Sequence, residues 1–198
     1  MIEEVKDGTE VGRRIIKHAS HFVGLFETRA NKDWARLVAG VQQEDNELEE
    51  ALKMAGWQPG WSYCAAFVEA VWRLAYKEAG APKELQDLIA SKLNPSVIKS
   101  YDNFKDRISQ VPEPGSIFFM QKGFSGYGHA GIVVSSDGAK FATIEGNTSP
   151  GSGTAESERN GDGVYKRIRT LDFTKHTYNL HLIGFLNPIR WRRDGSII

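Results

Sequence analysis

The sequence contains one cysteine among its 198 residues. A single cysteine cannot form an internal disulfide, so the stability of the fold does not require an oxidising compartment. The formal net charge is zero, with 25 basic and 25 acidic side chains. This balance argues against dominant binding to a phosphate backbone, and we expect no nucleic-acid partner.

Long hydrophobic runs are also missing from the sequence. The apolar stretches are far shorter than the roughly 18 residues expected of a membrane helix, so we expect no membrane span. Residues 1–7 are charged and contain no apolar core of a signal peptide. These features predict a protein made in the cytoplasm without a cleaved signal, or one from which a signal has been removed.

Helical periodicity dominates the first half of the chain, whose total length suits one domain. Apolar residues recur at helical spacing between Val11 and Phe26, and again from Cys64 up to a stop at Gly80. Further helices are predicted at 47–54, 83–92 and 95–104.

Short runs rich in β-branched or aromatic residues follow in the second half. They cover 116–120, 130–135, 141–145, 164–169 and 182–186. Helices followed by antiparallel strands predict an α+β fold, with N-terminal helices packed on one side of a sheet of about five strands.

The cysteine lies where a helix is predicted to begin. A loop containing Pro59 and Gly60 precedes Cys64, and an apolar helical stretch follows it. The first N–H groups of a helix lack internal partners and favour negative charge, which stabilises a thiolate. The alternative for a lone cysteine is a buried apolar filler.

Polar residues on two predicted strands complete a catalytic pattern. His129 begins one strand, and Glu145 and Asn147 end the next. If the strands pair through a turn at 137–138, either Glu145 or Asn147 lies beside His129 and orients its imidazole. Thiol, imidazole and polar group in this order describe a cysteine nucleophile, its base and an orienting group, as in hydrolases of amide bonds. The alternatives are a structural histidine, a solvated carboxylate and a turn asparagine.

These residues resemble the pattern of the CHAP family, the cysteine- and histidine-dependent amidohydrolases and peptidases. The matching segments are 63–68, 128–133, 144–148 and 161–165, and residues 24–28 resemble the lead-in of such domains. The similarity covers the core from about residue 10 to 187. It implies one papain-like catalytic domain over 1–198 that cuts bacterial peptidoglycan, as phage lysins and cell-wall hydrolases do.

The resemblance assigns a role to each candidate catalytic residue. Cys64 would be the nucleophile, His129 the general base, Glu145 the group that orients the imidazole, and Asn147 an assisting polar group. Some phage members bind calcium through an acidic loop before the cysteine, but residues 57–63 contain no carboxylate. Because a hard cation needs several oxygen ligands, we expect no calcium in this loop. We also expect no other metal and no cofactor.

Aromatic residues near the two catalytic segments are candidates for substrate binding. Trp61, Tyr63 and Tyr127 could contact sugar rings or stem peptides, and Tyr63 is also expected near the oxyanion. The expected partner is the stem peptide or the crossbridge of peptidoglycan. The expected site of action is the cell wall, for a monomer that is a phage lysin or an exported effector.

Three alternatives remain open from the sequence. The first is a papain-like peptidase or acyltransferase that acts on a protein, and the second is a non-catalytic module that binds the cell wall. The third is a zinc site built from Cys64, His129 and Glu145. The sequence does not say which peptidoglycan bond would be cut.

Overall fold

The computed structural model describes residues 9–149, 161–177 and 179–198, so the charged residues 1–7 lie outside the described part. Its helices are α1 (Glu10–His21), α2 (Glu47–Met54), α3 (Cys64–Glu78), α4 (Lys83–Lys92) and α5 (Val97–Asn103). A single 3-10 turn spans Lys105–Arg107. No helix in the described part is long and apolar enough to cross a bilayer.

The first helix, α1, is shorter than its sequence pattern predicts. Thr9 caps it by accepting a hydrogen bond from the Gly12 N–H at 3.0 Å, and Ile15 and Ala19 are fully buried. The helix ends at His21, and Phe26 begins a strand instead of extending the helix. Phe22 and Leu25, which follow the helix end, belong to the same buried apolar cluster as Ile15 and Ala19, so the apolar pattern extends beyond the helix.

Helix α3 is the central element of the helical layer. Eleven of its 15 residues are buried, and it packs against α1 and two central strands. Tyr63, just before it, has φ −117° and ψ 11°, so the chain becomes helical only at Cys64. The sulfur therefore lies at the N-terminal end of a buried helix.

The sheet has ten antiparallel strands within the described residues. They are β1 (Phe26–Arg29), β2 (Lys32–Val38), β3 (Val41–Asp45), β4 (Ile108–Ser109), β5 (Ile117–Lys122), β6 (Gly128–Ser136), β7 (Lys140–Thr148), β8 (Gly163–Thr170), β9 (His176–Thr177) and β10 (Leu180–Leu186). Nine follow the order β3-β2-β1-β8-β7-β6-β5-β10-β4, and β9 pairs with β10.

The predicted α+β class is confirmed, but the expected number of about five strands is wrong. The five predicted runs are β5, β6, β7, β8 and β10. Strands β1 to β3 precede α2, so the chain does not divide into helices followed by strands. Within β1, β2 and β3 only Trp34 and Ala35 are buried, so these strands have no alternating apolar pattern by which the sequence would show them.

Two apolar clusters cover the two faces of the central strands. Ile132, Ile144 and Val164 belong to the larger cluster, which includes α3 and extends from Val11 to Ile189. The smaller cluster consists of Phe118, Met120, Val133, Phe141, Leu182 and Phe185. Strands β6 and β7 are thus enclosed on both sides, which fixes the positions of the polar side chains at their ends.

Candidate active site

Cys64 is the first residue of α3, and its side chain is nearly buried, with 7% exposure. The backbone N–H groups of Ala65 and Ala130 favour the anionic form of its sulfur and lower the pKa of the thiol. One of these donors belongs to the helix and the other to β6. The thiol therefore lies at the junction of the helical layer and the sheet.

His129 lies on β6 and interacts with the Cys64 thiol, so that each of the two groups favours the charged form of the other. Its Nε2 is 2.8 Å from Oε2 of Glu145. Nδ1 is therefore the ring nitrogen that remains to exchange a proton with the sulfur. The ring packs on Phe118 with 5.9 Å between centroids. The imidazole is thus held between the thiol and the carboxylate, with 6% exposure.

Glu145 of β7 is fully buried, and four groups donate to its carboxylate. The Thr143 hydroxyl and Arg169 Nε donate to Oε1 at 2.6 and 2.9 Å. Arg169 Nη2 and the imidazole of His129 donate to Oε2 at 2.5 and 2.8 Å. Glu145 is the residue that contacts the imidazole, so the structure separates the roles of Glu145 and Asn147.

The charges within this group stabilise one another despite burial. Burial would raise the pKa of Glu145, but the Arg169 guanidinium and the His129 ring hold it far below its usual range. Burial would lower the pKa of His129, but its hydrogen bonds to Cys64 and Glu145 raise it to about 9. An imidazolium facing the sulfur is the result.

The thiol responds to that imidazolium. Burial raises the pKa of Cys64, but the hydrogen bond and positive charge of His129, with the N–H groups of Ala130 and Ala65, lower it below the ordinary value of 9.0. The arrangement favours a thiolate–imidazolium pair, the reactive form of a cysteine nucleophile.

Asn147 lies in a bulge of β7 and contacts the chain next to the nucleophile. The pairing of β7 with β8 shifts between Gly146 and Thr148, and Asn147 has a φ of +55°, which asparagine tolerates better than most residues. Its Oδ1 accepts a hydrogen bond from the Tyr63 N–H at 3.3 Å. This contact fixes the turn that precedes Cys64.

The three aromatic residues expected to bind substrate differ in exposure. Trp61 and Tyr127 are 49% and 77% exposed, whereas Tyr63 is fully buried. The Tyr63 hydroxyl accepts a hydrogen bond from Trp34 Nε1 at 3.4 Å and interacts with Glu27. The expectation that the Tyr63 side chain contacts substrate is therefore wrong, because its ring lies in the core.

Sequence reasoning missed Thr143 and Arg169. Thr143 is two residues before Glu145 and therefore lies on the same face of β7. Arg169 is paired with Phe141 on the neighbouring strand, and alternation places it on that face as well. Strand alternation is the signal that would have found Thr143, whereas selecting Arg169 required the register between β7 and β8.

The residues of the zinc alternative do not converge on one point. His129 interacts with both Cys64 and Glu145, and its Nε2 is directed at the Glu145 carboxylate. Within 9–149, 161–177 and 179–198, no group of three or more His, Cys, Asp or Glu side chains is placed to hold a metal ion.

Comparison with known proteins identifies this region. Residues 54–147 match the family model of the CHAP domain, and the match includes Cys64, His129, Glu145 and Asn147. No curated protein matches the chain significantly. CHAP domains are in general amidase- or peptidase-type hydrolases that act on peptidoglycan. The chain therefore carries a CHAP domain, and its residues 54–147 belong to the CHAP family.

Proposed function

We propose that this protein is a cysteine-dependent amidase or endopeptidase that hydrolyses amide bonds of bacterial peptidoglycan through a thioester acyl-enzyme. The observation that supports this most directly is the chain of contacts from Cys64 through His129 to Glu145 at the start of α3. It supplies a nucleophile, a proton carrier and a buried anion that orients the carrier.

The first half-reaction forms the thioester. The Cys64 thiolate attacks the carbonyl carbon of a stem-peptide or crossbridge amide, and the carbonyl oxygen becomes an oxyanion. The N–H groups of Cys64 and Ala65 at the start of α3 are the proposed donors to this oxyanion. His129 then transfers its proton to the leaving amine as the carbon–nitrogen bond breaks.

The second half-reaction releases the acyl group. Neutral His129 takes a proton from water, and the resulting hydroxide attacks the thioester carbonyl. The carbon–sulfur bond breaks, the product leaves as a carboxylic acid, and the thiolate–imidazolium pair forms again. Glu145 remains ionised throughout and holds the ring in one orientation.

Exposed aromatic side chains lie in the segments that flank the catalytic residues. Trp61 precedes Cys64 by three residues, and Tyr127 precedes His129 by two. Their exposed fractions are 49% and 77%, and we propose that they contact the glycan or the stem peptide.

Digestion of purified peptidoglycan tests the proposed function. The wild-type protein should release soluble fragments with new amino termini, and mass spectrometry of these fragments identifies the bond that is cut. Cys64→Ala should reduce release by at least about a thousandfold, as expected for loss of a covalent nucleophile.

The controls separate the alternatives. Identical fragment patterns for wild type and Cys64→Ala would refute the enzyme hypothesis and favour a wall-binding module. Cleavage of a protein panel without cleavage of peptidoglycan would instead favour a papain-like peptidase that acts on proteins. Circular dichroism of both variants establishes that each is folded.

A further inference from the structure

Arg169 forms a two-pronged contact with the carboxylate that orients His129. Arg169 lies on β8, and its side chain is 11% exposed. Its Nε donates to Oε1 of Glu145 at 2.9 Å and its Nη2 to Oε2 at 2.5 Å. A planar guanidinium fixes both the position and the rotation of a carboxylate in this geometry.

The carboxylate of Glu145 has its hydrogen-bonding capacity filled. A carboxylate offers about four acceptor positions. Arg169 fills two of them, and the Thr143 hydroxyl and the His129 ring fill one each. Each oxygen thus has two donors, and rotation of the carboxylate would break several bonds at once.

Burial makes this support necessary. Glu145 has no solvent exposure, and a buried carboxyl without a cation favours its protonated form. A protonated Glu145 would not stabilise a positive charge on the imidazole. His129 would then be a weaker source of positive charge for the Cys64 thiolate.

We infer that Arg169 is a positioning residue for catalysis: it holds Glu145 ionised and oriented, so that His129 stays protonated and directed at Cys64. The inference rests on the proposed function, because a role in catalysis requires that Cys64 be a catalytic nucleophile. Arg169 acts through Glu145 and does not contact the substrate. A purely structural ion pair would leave the chemistry of the thiol unchanged.

The rate at which iodoacetamide alkylates Cys64 tests this inference. The rate follows the thiolate fraction, and the sequence has one cysteine, so the signal comes from Cys64 alone. The rate is measured across pH for wild type, Arg169→Gln and Arg169→Lys. The matched control is Arg190→Gln, which breaks another arginine–glutamate pair, with Glu113 at 2.8 Å.

The expected result is a rise in the pH midpoint of alkylation. At a pH below both midpoints, Arg169→Gln should react about tenfold more slowly than wild type, the change that a one-unit rise in the pKa of the thiol gives. Arg169→Lys keeps the positive charge but cannot donate the two parallel hydrogen bonds of a guanidinium. Its midpoint should therefore lie between those of Arg169→Gln and wild type. Arg190→Gln should keep the wild-type midpoint.

A folded Arg169→Gln protein with the wild-type midpoint overturns the inference. If Arg169→Gln does not fold, the test uses Arg169→Lys. A wild-type midpoint in that variant also overturns the inference. Alkylation needs no substrate, so the two proposals fail separately. If wild type does not digest peptidoglycan but the alkylation midpoint of Arg169→Gln is shifted, only the proposed function is refuted. If wild type digests peptidoglycan but that midpoint is not shifted, only the role of Arg169 is refuted.

Discussion

At the scale of single residues, the reactivity of Cys64 depends on the charge state of His129. Each group stabilises the charged form of the other, and burial opposes both charges. The pair therefore titrates as a unit, with the thiolate–imidazolium form favoured between the two pKa values. Glu145 extends this range on the alkaline side, because its negative charge raises the pKa of His129.

The titration of His129 gives the first prediction at this scale. The imidazole should remain protonated until the pH rises through about 9, the value to which Cys64 and Glu145 raise its pKa. Stability contributed by this group is then complete below the unfolded pKa of about 6.5 and is lost as the pH rises through about 9. Nitrogen NMR of the ring measures the midpoint directly.

Two variants separate the causes of this shift. Cys64→Ala and Glu145→Gln should each lower the pKa of His129, because each removes an anionic hydrogen-bond partner. The signal is assigned among the five histidines with His129→Asn. A wild-type midpoint near 6.5 would contradict the description of the site as an ion pair.

Predictability from sequence varies among the site residues. Cys64, His129 and Glu145 could be proposed because each lies in or beside a run with a clear local pattern. Arg169 occurs in the run 166–169, which has two arginines, and only the register with β7 shows that this one reaches Glu145. Long-range pairing of that kind leaves no trace in a single sequence.

At the scale of elements, the contact between β6 and β7 depends on a glycine. Gly131 lies two residues after His129 and faces Phe118 and Glu145. A Cβ at this position would lie 2.7 Å from Cγ of Glu145 and 2.7 Å from Cε1 of Phe118. The missing side chain thus creates the space through which Glu145 reaches the imidazole.

Gly131→Ala should damage both the site and the stability of the protein. The added methyl group forces Glu145 or Phe118 to move, at a cost of about 1–3 kcal/mol in the free energy of unfolding. Peptidoglycan cleavage should fall by at least about tenfold, since displacement of a positioning group is costly for catalysis. Thermal denaturation and the digestion assay measure the two effects.

Gly126→Ala is the matched control for stability. Its Cβ would meet nothing within 4 Å, so the unfolding free energy should change by less than about 0.5 kcal/mol. If Gly131→Ala were as stable and as active as wild type, the space at Gly131 would not be needed to align the two strands.

Sequence patterns predicted the strands that are buried and missed those that are not. Each of the five predicted runs contributes buried residues to one or both of the apolar clusters. The hairpin of β2 and β3 is mostly exposed, and β1 joins the sheet through one pairing of Phe26 with Gly163. Strands β1, β2 and β3 are held in the sheet mainly by backbone hydrogen bonds, which the amino-acid composition does not reveal.

At the scale of the whole molecule, one buried carboxyl lies outside the proposed mechanism. Glu69 is on α3 and 3% exposed, and its Oε2 has no hydrogen-bond partner among the described residues. Burial raises the pKa of Glu69 to about 7, and Arg73 at 3.3 Å offsets only part of this effect. The folded protein therefore bears the cost of a buried negative charge above neutral pH.

Replacement of Glu69 should make the protein more stable at alkaline pH. The folded pKa lies above the unfolded value of about 4.3, so the folded state binds a proton that the unfolded state lacks between these values. The free energy of unfolding contributed by Glu69 thus falls as the pH rises from 5 to 8. Glu69→Gln removes this loss. Its free energy of unfolding at pH 8, measured by urea denaturation, should exceed that of wild type by about 2 kcal/mol.

The pH dependence of the difference distinguishes this effect from a general change in packing. The advantage of Glu69→Gln should shrink towards pH 5, where the wild-type carboxyl is also neutral in the fold. Glu113→Gln, which alters a half-exposed pair with Arg190, should change stability by less than about 1 kcal/mol and equally at both pH values. A Glu69→Gln protein less stable than wild type at pH 8 would mean that the pair with Arg73 outweighs the cost of burial.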